Sequence, residues 1–131
     1  PRPVWDQAKF MKDLSHALIG GMETGLIDVL AHPTWLPEGI RPQTTDLVTE
    51  EWIDDIVEAA RRCEVAIEVS GAWKVPDEVF VRRCMDCGVK LSIGSDAHNI
   101  NMIGETSYSI DLLKKAGARA QDLFLPSRTG R

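Results

Sequence analysis

Val89-Lys90-Leu91-Ser92-Ile93-Gly94-Ser95-Asp96-Ala97-His98 is the stretch on which the reading of the fold turns. Its first half is a short apolar run of strand character. Its second half sets a carboxylate and an imidazole two residues apart just past that run. Side chains at this spacing can face the same side of an extended chain, which is how a protein aims two donor groups into one pocket. An earlier stretch has the same design: Leu26-Ile27-Asp28-Val29-Leu30-Ala31 is apolar and leads directly into His32-Pro33. Two strands that deliver nitrogen and oxygen donors at their carboxyl ends point to a hydrolytic metal site.

Outward from these two runs, strands alternate with helical periodicity. Trp5 to about Thr24 is expected to be a helix, with Phe10, Met11, Leu14, Leu18 and Ile19 at three- and four-residue spacing and Gly25 as its end. A polar, proline-bearing connection runs from Pro33 to about Val48, longer than a simple link requires. Thr49 is an N-cap, followed by Glu50 and Glu51, for a helix to about Cys63 whose stripe is Trp52, Ile53, Ile56, Val57 and Ala60. Val65 to Val69 is the second strand. Pro76 is expected in the first turn of a third helix that buries Val79, Phe80, Val81, Cys84 and Met85. Val89 to Ile93 is the third strand, Met102 to Ala116 a further helix, and Leu123-Phe124-Leu125 a short fourth strand. The tail 126–131 reads as loose. The whole is one α/β domain, 1–131, with three to four parallel strands and alternating helices. Nearly continuous apolar strands are those covered on both faces, and right-handed crossovers put all their carboxyl ends on one rim.

Bulk composition excludes several function classes. The chain has 131 residues, 44% apolar and 27% charged, which suits a folded core. No apolar run reaches the roughly 18 to 20 residues of a membrane span, so no membrane partner is expected. Net charge is −5, and the pairs Arg61-Arg62, Arg82-Arg83 and Lys114-Lys115 fall late in helices, where cations complement the dipole. Nucleic acid is therefore not an expected partner. Three cysteines make no disulfide framework, and Cys84-Met85-Asp86-Cys87 lies late in a helix with no second ligand pair, so reduced structural thiols in a cytoplasmic setting are expected.

His32, Asp96 and His98 fall on the rim as candidate metal ligands. One hard oxygen with two imidazoles suits Zn²⁺, Mn²⁺ or Fe²⁺ better than Ca²⁺. Glu68 is inside the second strand, pointing away from Ile67 and Val69, where it would support a ligand histidine or form a buried salt bridge. Trp35 and Lys74 follow rim positions, and Lys74 with Arg41 could meet a phosphate. The plainer role for Trp35 and Trp73 is packing loops onto the top of the sheet. His16, mid-helix, reads as a surface or half-buried residue.

Asp28-Val29-Leu30-Ala31-His32-Pro33, then Ile67-Glu68-Val69-Ser70-Gly71, then Ile93-Gly94-Ser95-Asp96-Ala97-His98 with Ile103-Gly104 together resemble the PHP superfamily, the polymerase and histidinol phosphatase group of metal-dependent phosphoesterases. The resemblance covers nearly the whole chain and matches the C-terminal half of that family. It implies a partial PHP-type (β/α)7 barrel, phosphoric ester hydrolysis by metal-activated water, and His32, Asp96 and His98 as ligands of divalent metal ions. The family's first motif, two histidines one residue apart, has no counterpart among His16, His32 and His98. The expectation is therefore an incomplete metal cluster with weak or no activity alone, and a small phosphorylated substrate if active. The N-terminal half is expected in a longer product, or replaced by a second copy in a homo-oligomer joined through raw sheet edges. The alternatives are a non-catalytic PHP remnant acting as an oligomerisation or scaffold module, and an open-sheet binding domain with an incidental Asp-His pair.

Overall fold

The computed structural model describes residues 6–70, 75–94 and 107–124. Within them the chain is α/β, with five α-helices and a three-stranded parallel sheet in the order β1-β2-β3. Helix α1 (Gln7–Glu23) starts where Asp6 Oδ1 accepts the Lys9 N–H at 2.9 Å, and Trp5, expected at its head, lies outside the described residues. Gly25 follows its C-cap at φ 74°, the left-handed conformation that glycine adopts without a Cβ penalty. Helix α3 (Glu50–Cys63) is capped by Thr49, whose Oγ1 accepts the Trp52 N–H at 3.1 Å. All five residues of its expected stripe are buried. Trp52 locks the first pair of helices, because its indole N–H donates to the Met11 carbonyl at 2.8 Å.

Strand β1 corrects the sequence expectation. It is only Val29–Leu30, not Leu26 to Ala31, and Leu26 is 86% exposed. The Leu26 N–H is taken by Thr24 Oγ1, while pairing with β2 (Ala66–Ser70) begins at Val29↔Ala66. At the other end His32 has φ 25°, which takes the chain out of the extended region. The long connection after β1 is also more ordered than its composition implies. It holds a 3-10 turn, Arg41–Gln43, and a short helix α2 (Thr44–Leu47), anchored by fully buried Leu36 and by Ile40.

Pro76 does not enter a helix. Asp77 is the N-cap of α4 (Glu78–Asp86), its Oδ1 accepting the Phe80 N–H at 3.1 Å, and Pro76 precedes it after a cis peptide bond. Gly88 turns the chain at φ 78°, and β3 (Leu91–Gly94) pairs with β2 from Ile67↔Leu91 to Ser70↔Gly94. Helix α5 (Ser107–Ala116) returns over β2 and β3, and the Ser109 hydroxyl donates to the Val69 carbonyl at 2.9 Å. The expected fourth strand is reduced to one parallel bridge, Leu91↔Leu123, after a 3-10 turn at Ala120–Asp122.

Alternation along the strands divides the sheet. Leu30, Ile67, Val69, Leu91 and Ile93 share one face, and all but Ile93, which is 39% exposed, are buried in the same core as Ile56, Val57, Phe80 and Val81. Val29, Ala66, Glu68, Ser70, Ser92 and Gly94 share the other, which is mostly small or polar. Most of the basic residues expected late in helices are tied into ion pairs. Arg61 meets Glu58 at 2.6 Å and Arg62 meets Glu23 at 2.9 Å, while Arg83 pairs with Asp54. Arg82 also donates to the Lys115 carbonyl at 3.0 Å, at the last turn of α5. No helix among the described residues is long and apolar enough to cross a membrane.

Candidate functional site

The carboxyl ends of the parallel strands form one rim, and Glu68 organises its described part. Its backbone is in the middle of β2, and the pleat sends its side chain to the face opposite Ile67 and Val69, as the alternation predicts. Its Oε1 accepts the backbone N–H of His32 at 3.3 Å, at the long end of the hydrogen-bond range. The same carboxyl group lies against Gly94: a Cβ built there would meet Glu68 Oε2, with Cδ at 3.0 Å and Cγ at 3.3 Å. One side chain from the central strand thus touches the residue beyond β1 and the last residue of β3.

His32 is half-buried and occupies a backbone conformation that costs energy in any residue with a Cβ. Such strain persists only where the surroundings over-determine it. Here the supports are the Glu68 carboxylate on its N–H and a turn in which the His32 carbonyl accepts the Trp35 N–H at 3.0 Å. Buried Pro33 and Thr34 fill that turn. Trp35 in turn carries the Arg41 guanidinium, 3.6 Å from its ring centroid, and Arg41 Nε donates to the Leu36 carbonyl at 2.9 Å. A cation held against an aromatic face in this way is fixed in place beside the His32 turn. A cleft of about 480 Å³ opens next to it, lined among others by Thr34, Thr44, Thr45, Val75 and Asp77.

Of the residues singled out from sequence, His32, Glu68, Trp35 and Arg41 are described, and they form one connected neighbourhood. Asp96, His98 and Lys74 lie outside the described residues, as does Trp73. Among the described residues no group of three or more His, Cys, Asp or Glu is placed to hold a metal ion. Two donor types that suit a divalent cation, an imidazole and a carboxylate, belong to His32 and Glu68, which are joined here through the His32 backbone N–H. His16 is exposed on α1, beside a groove of about 720 Å³ between α1 and the α2–α3 segment, away from this neighbourhood.

Sequence reasoning missed the part played by Gly94. It ends an apolar run, and an isolated glycine in a strand commonly marks a close approach by another group. Nothing in a single sequence says which group approaches. Burial pushes the Cys84 thiol up to about 12, and all three cysteines are free, so the Cys84–Cys87 pair belongs to the helix packing.

No family model matches the chain. Among curated proteins it is 27% identical to a DNA polymerase/3'-5' exonuclease PolX of Bacillus subtilis, over 83% of this chain and 19% of the relative. It is 26% identical to a probable phosphatase of Shewanella sediminis, over 78% of this chain and 40% of the relative. The chain therefore spans well under half the length of either relative.

Proposed function

We propose that this chain supplies the C-terminal part of a metal-dependent phosphoesterase site of the PHP type, with the described sheet as one arc of a (β/α) barrel. The observation that carries the reading is the Glu68 carboxylate, which joins the turn at His32 to Gly94 at the end of β3, the residue that Ser95-Asp96-Ala97-His98 follow in the sequence. The similarity to an exonuclease and to a phosphatase supports it, since both activities break phosphate esters.

In this reading His32, Asp96 and His98 hold a divalent ion of the Zn²⁺, Mn²⁺ or Fe²⁺ type. Such an ion supplies water activation and neutralises charge on the phosphoryl oxygens. The chain's own residues do the rest. Glu68 fixes the backbone of His32 through its N–H. Arg41, braced on Trp35, offers a fixed positive charge to an anionic ester, with Lys74 as its companion, and the threonine-lined cleft receives the leaving group's side of a small phosphorylated substrate.

Hydrolysis of p-nitrophenyl phosphate and bis-p-nitrophenyl phosphate with added Mn²⁺ or Zn²⁺, by this chain supplied with the N-terminal part of a PHP-type barrel, tests the proposal. Turnover abolished by EDTA and reduced at least about tenfold in both His32→Ala and His98→Ala is the expected result. Absence of EDTA-sensitive turnover, or turnover indifferent to both substitutions, would overturn it.

A further inference from the structure

We infer that Glu68 is a positioning residue that clamps the tips of β1 and β3 together, and that its carboxyl group is what requires glycine at position 94. The inference rests on the preceding functional reading only where metal affinity is the readout.

The geometry has two halves. Glu68 Oε1 accepts the His32 N–H at 3.3 Å, at the point where the chain leaves the sheet with φ 25°. An N–H that has turned out of the ladder needs another acceptor, and a carboxylate is a stronger one than a neutral group. On the other side the carboxyl group fills the space a Cβ of residue 94 would take, with Cδ at 3.0 Å and Cγ at 3.3 Å from it. Register puts Glu68 opposite Ser92 and Gly94 opposite Ser70, so all four side-chain positions are on one face and the Glu68 side chain leans toward the rim. A methyl group at position 94 therefore displaces the end of Glu68, and with it the acceptor for His32. In the sequence, Gly94 immediately precedes Ser95-Asp96, so the same contact fixes where the candidate ligand segment leaves β3.

This makes an unusual prediction about two substitutions. Glycine inside a strand is ordinarily a weak choice, and Gly→Ala at a tolerant strand position is neutral or favourable. Here Gly94→Ala is harmful while Glu68 is present and becomes harmless once Glu68→Ala has emptied the space. Harm from either single change, with no further harm from combining them, distinguishes a clamp from two independent structural positions.

The four proteins of this cycle are compared by urea denaturation, by Mn²⁺ titration calorimetry and by amide hydrogen exchange at His32. Gly94→Ala should lower the urea midpoint, speed His32 exchange and weaken Mn²⁺ binding by about 10- to 100-fold in the parent. It should change none of the three in the Glu68→Ala background. Glu68→Gln, which keeps an oxygen at the Oε1 position, should retain the slow His32 exchange. Equal effects of Gly94→Ala in both backgrounds, or unaltered His32 exchange in Gly94→Ala, would overturn the inference. If the parent binds no Mn²⁺, the functional reading fails, and the denaturation and exchange measurements still decide the clamp. If Glu68→Ala does not fold, His32 exchange in Gly94→Ala and Glu68→Gln decides it alone.

Discussion

Cys84 shows how much one position can be governed by its surroundings. Its side chain is fully buried in the same core as Phe80 and Val81, and desolvation raises its pKa from 9.0 to about 12. The thiol is the neutral form, so burial favours it and the folded protein gives up a proton less readily than the unfolded one. The resulting stability is fully present below about pH 9 and is lost as pH rises toward 12. The urea midpoint of the parent should fall between pH 9 and pH 11, and Cys84→Ala should show a shallower fall from a lower starting stability, the cavity costing about 2 kcal/mol or less. An identical pH slope in the two proteins would contradict the assignment. Burial of Cys84 was legible in the sequence, because it continues the stripe of Phe80 and Val81. The conformation of His32 was not, since a left-handed backbone before a proline depends on what Glu68 and the following turn provide.

Helices were easier to place than strands because their ends carry local chemistry. Asp6, Thr49 and Asp77 each accept an N–H three residues on, the spacing a capping side chain needs. Thr49→Ala should lower stability by about 1 kcal/mol, read as a shift in urea midpoint with unchanged slope, whereas Thr49→Asp should be nearly silent. The error at Pro76 came from two adjacent start signals, and the carboxylate of Asp77 prevails because it alone can accept an N–H. Strand β1 came out too long for a different reason: apolar character at Leu26 and Ile27 says nothing about which N–H groups have partners in β2. The register does, and it begins at Val29. The connection after β1 hid its order because its anchors, Leu36 and Ile40, are two apolar positions set among Pro33, Pro37 and Pro42, too few to make a periodic stripe.

At the scale of the molecule, the sheet separates two tasks. One face is buried with the helices in the core, and the other carries Glu68, Ser70, Ser92 and Gly94 toward the rim. The alternation of apolar runs with helical stripes made the parallel α/β order readable, and the parallel order made the shared rim readable in turn. That two strand tips would be joined by a carboxylate from the strand between them was beyond any pattern, because it depends on a register and a pleat. The central claim is that these tips surround a single cation. Substoichiometric Mn²⁺ added to ¹⁵N-labelled protein tests it most directly, through paramagnetic broadening of individual amide signals. The account predicts simultaneous broadening at Leu30–His32 and at Gly94 through His98, lost at both places in His98→Ala. Broadening at one tip alone, or only along the acidic surface of α3 at Glu50, Glu51 and Asp55, would contradict it.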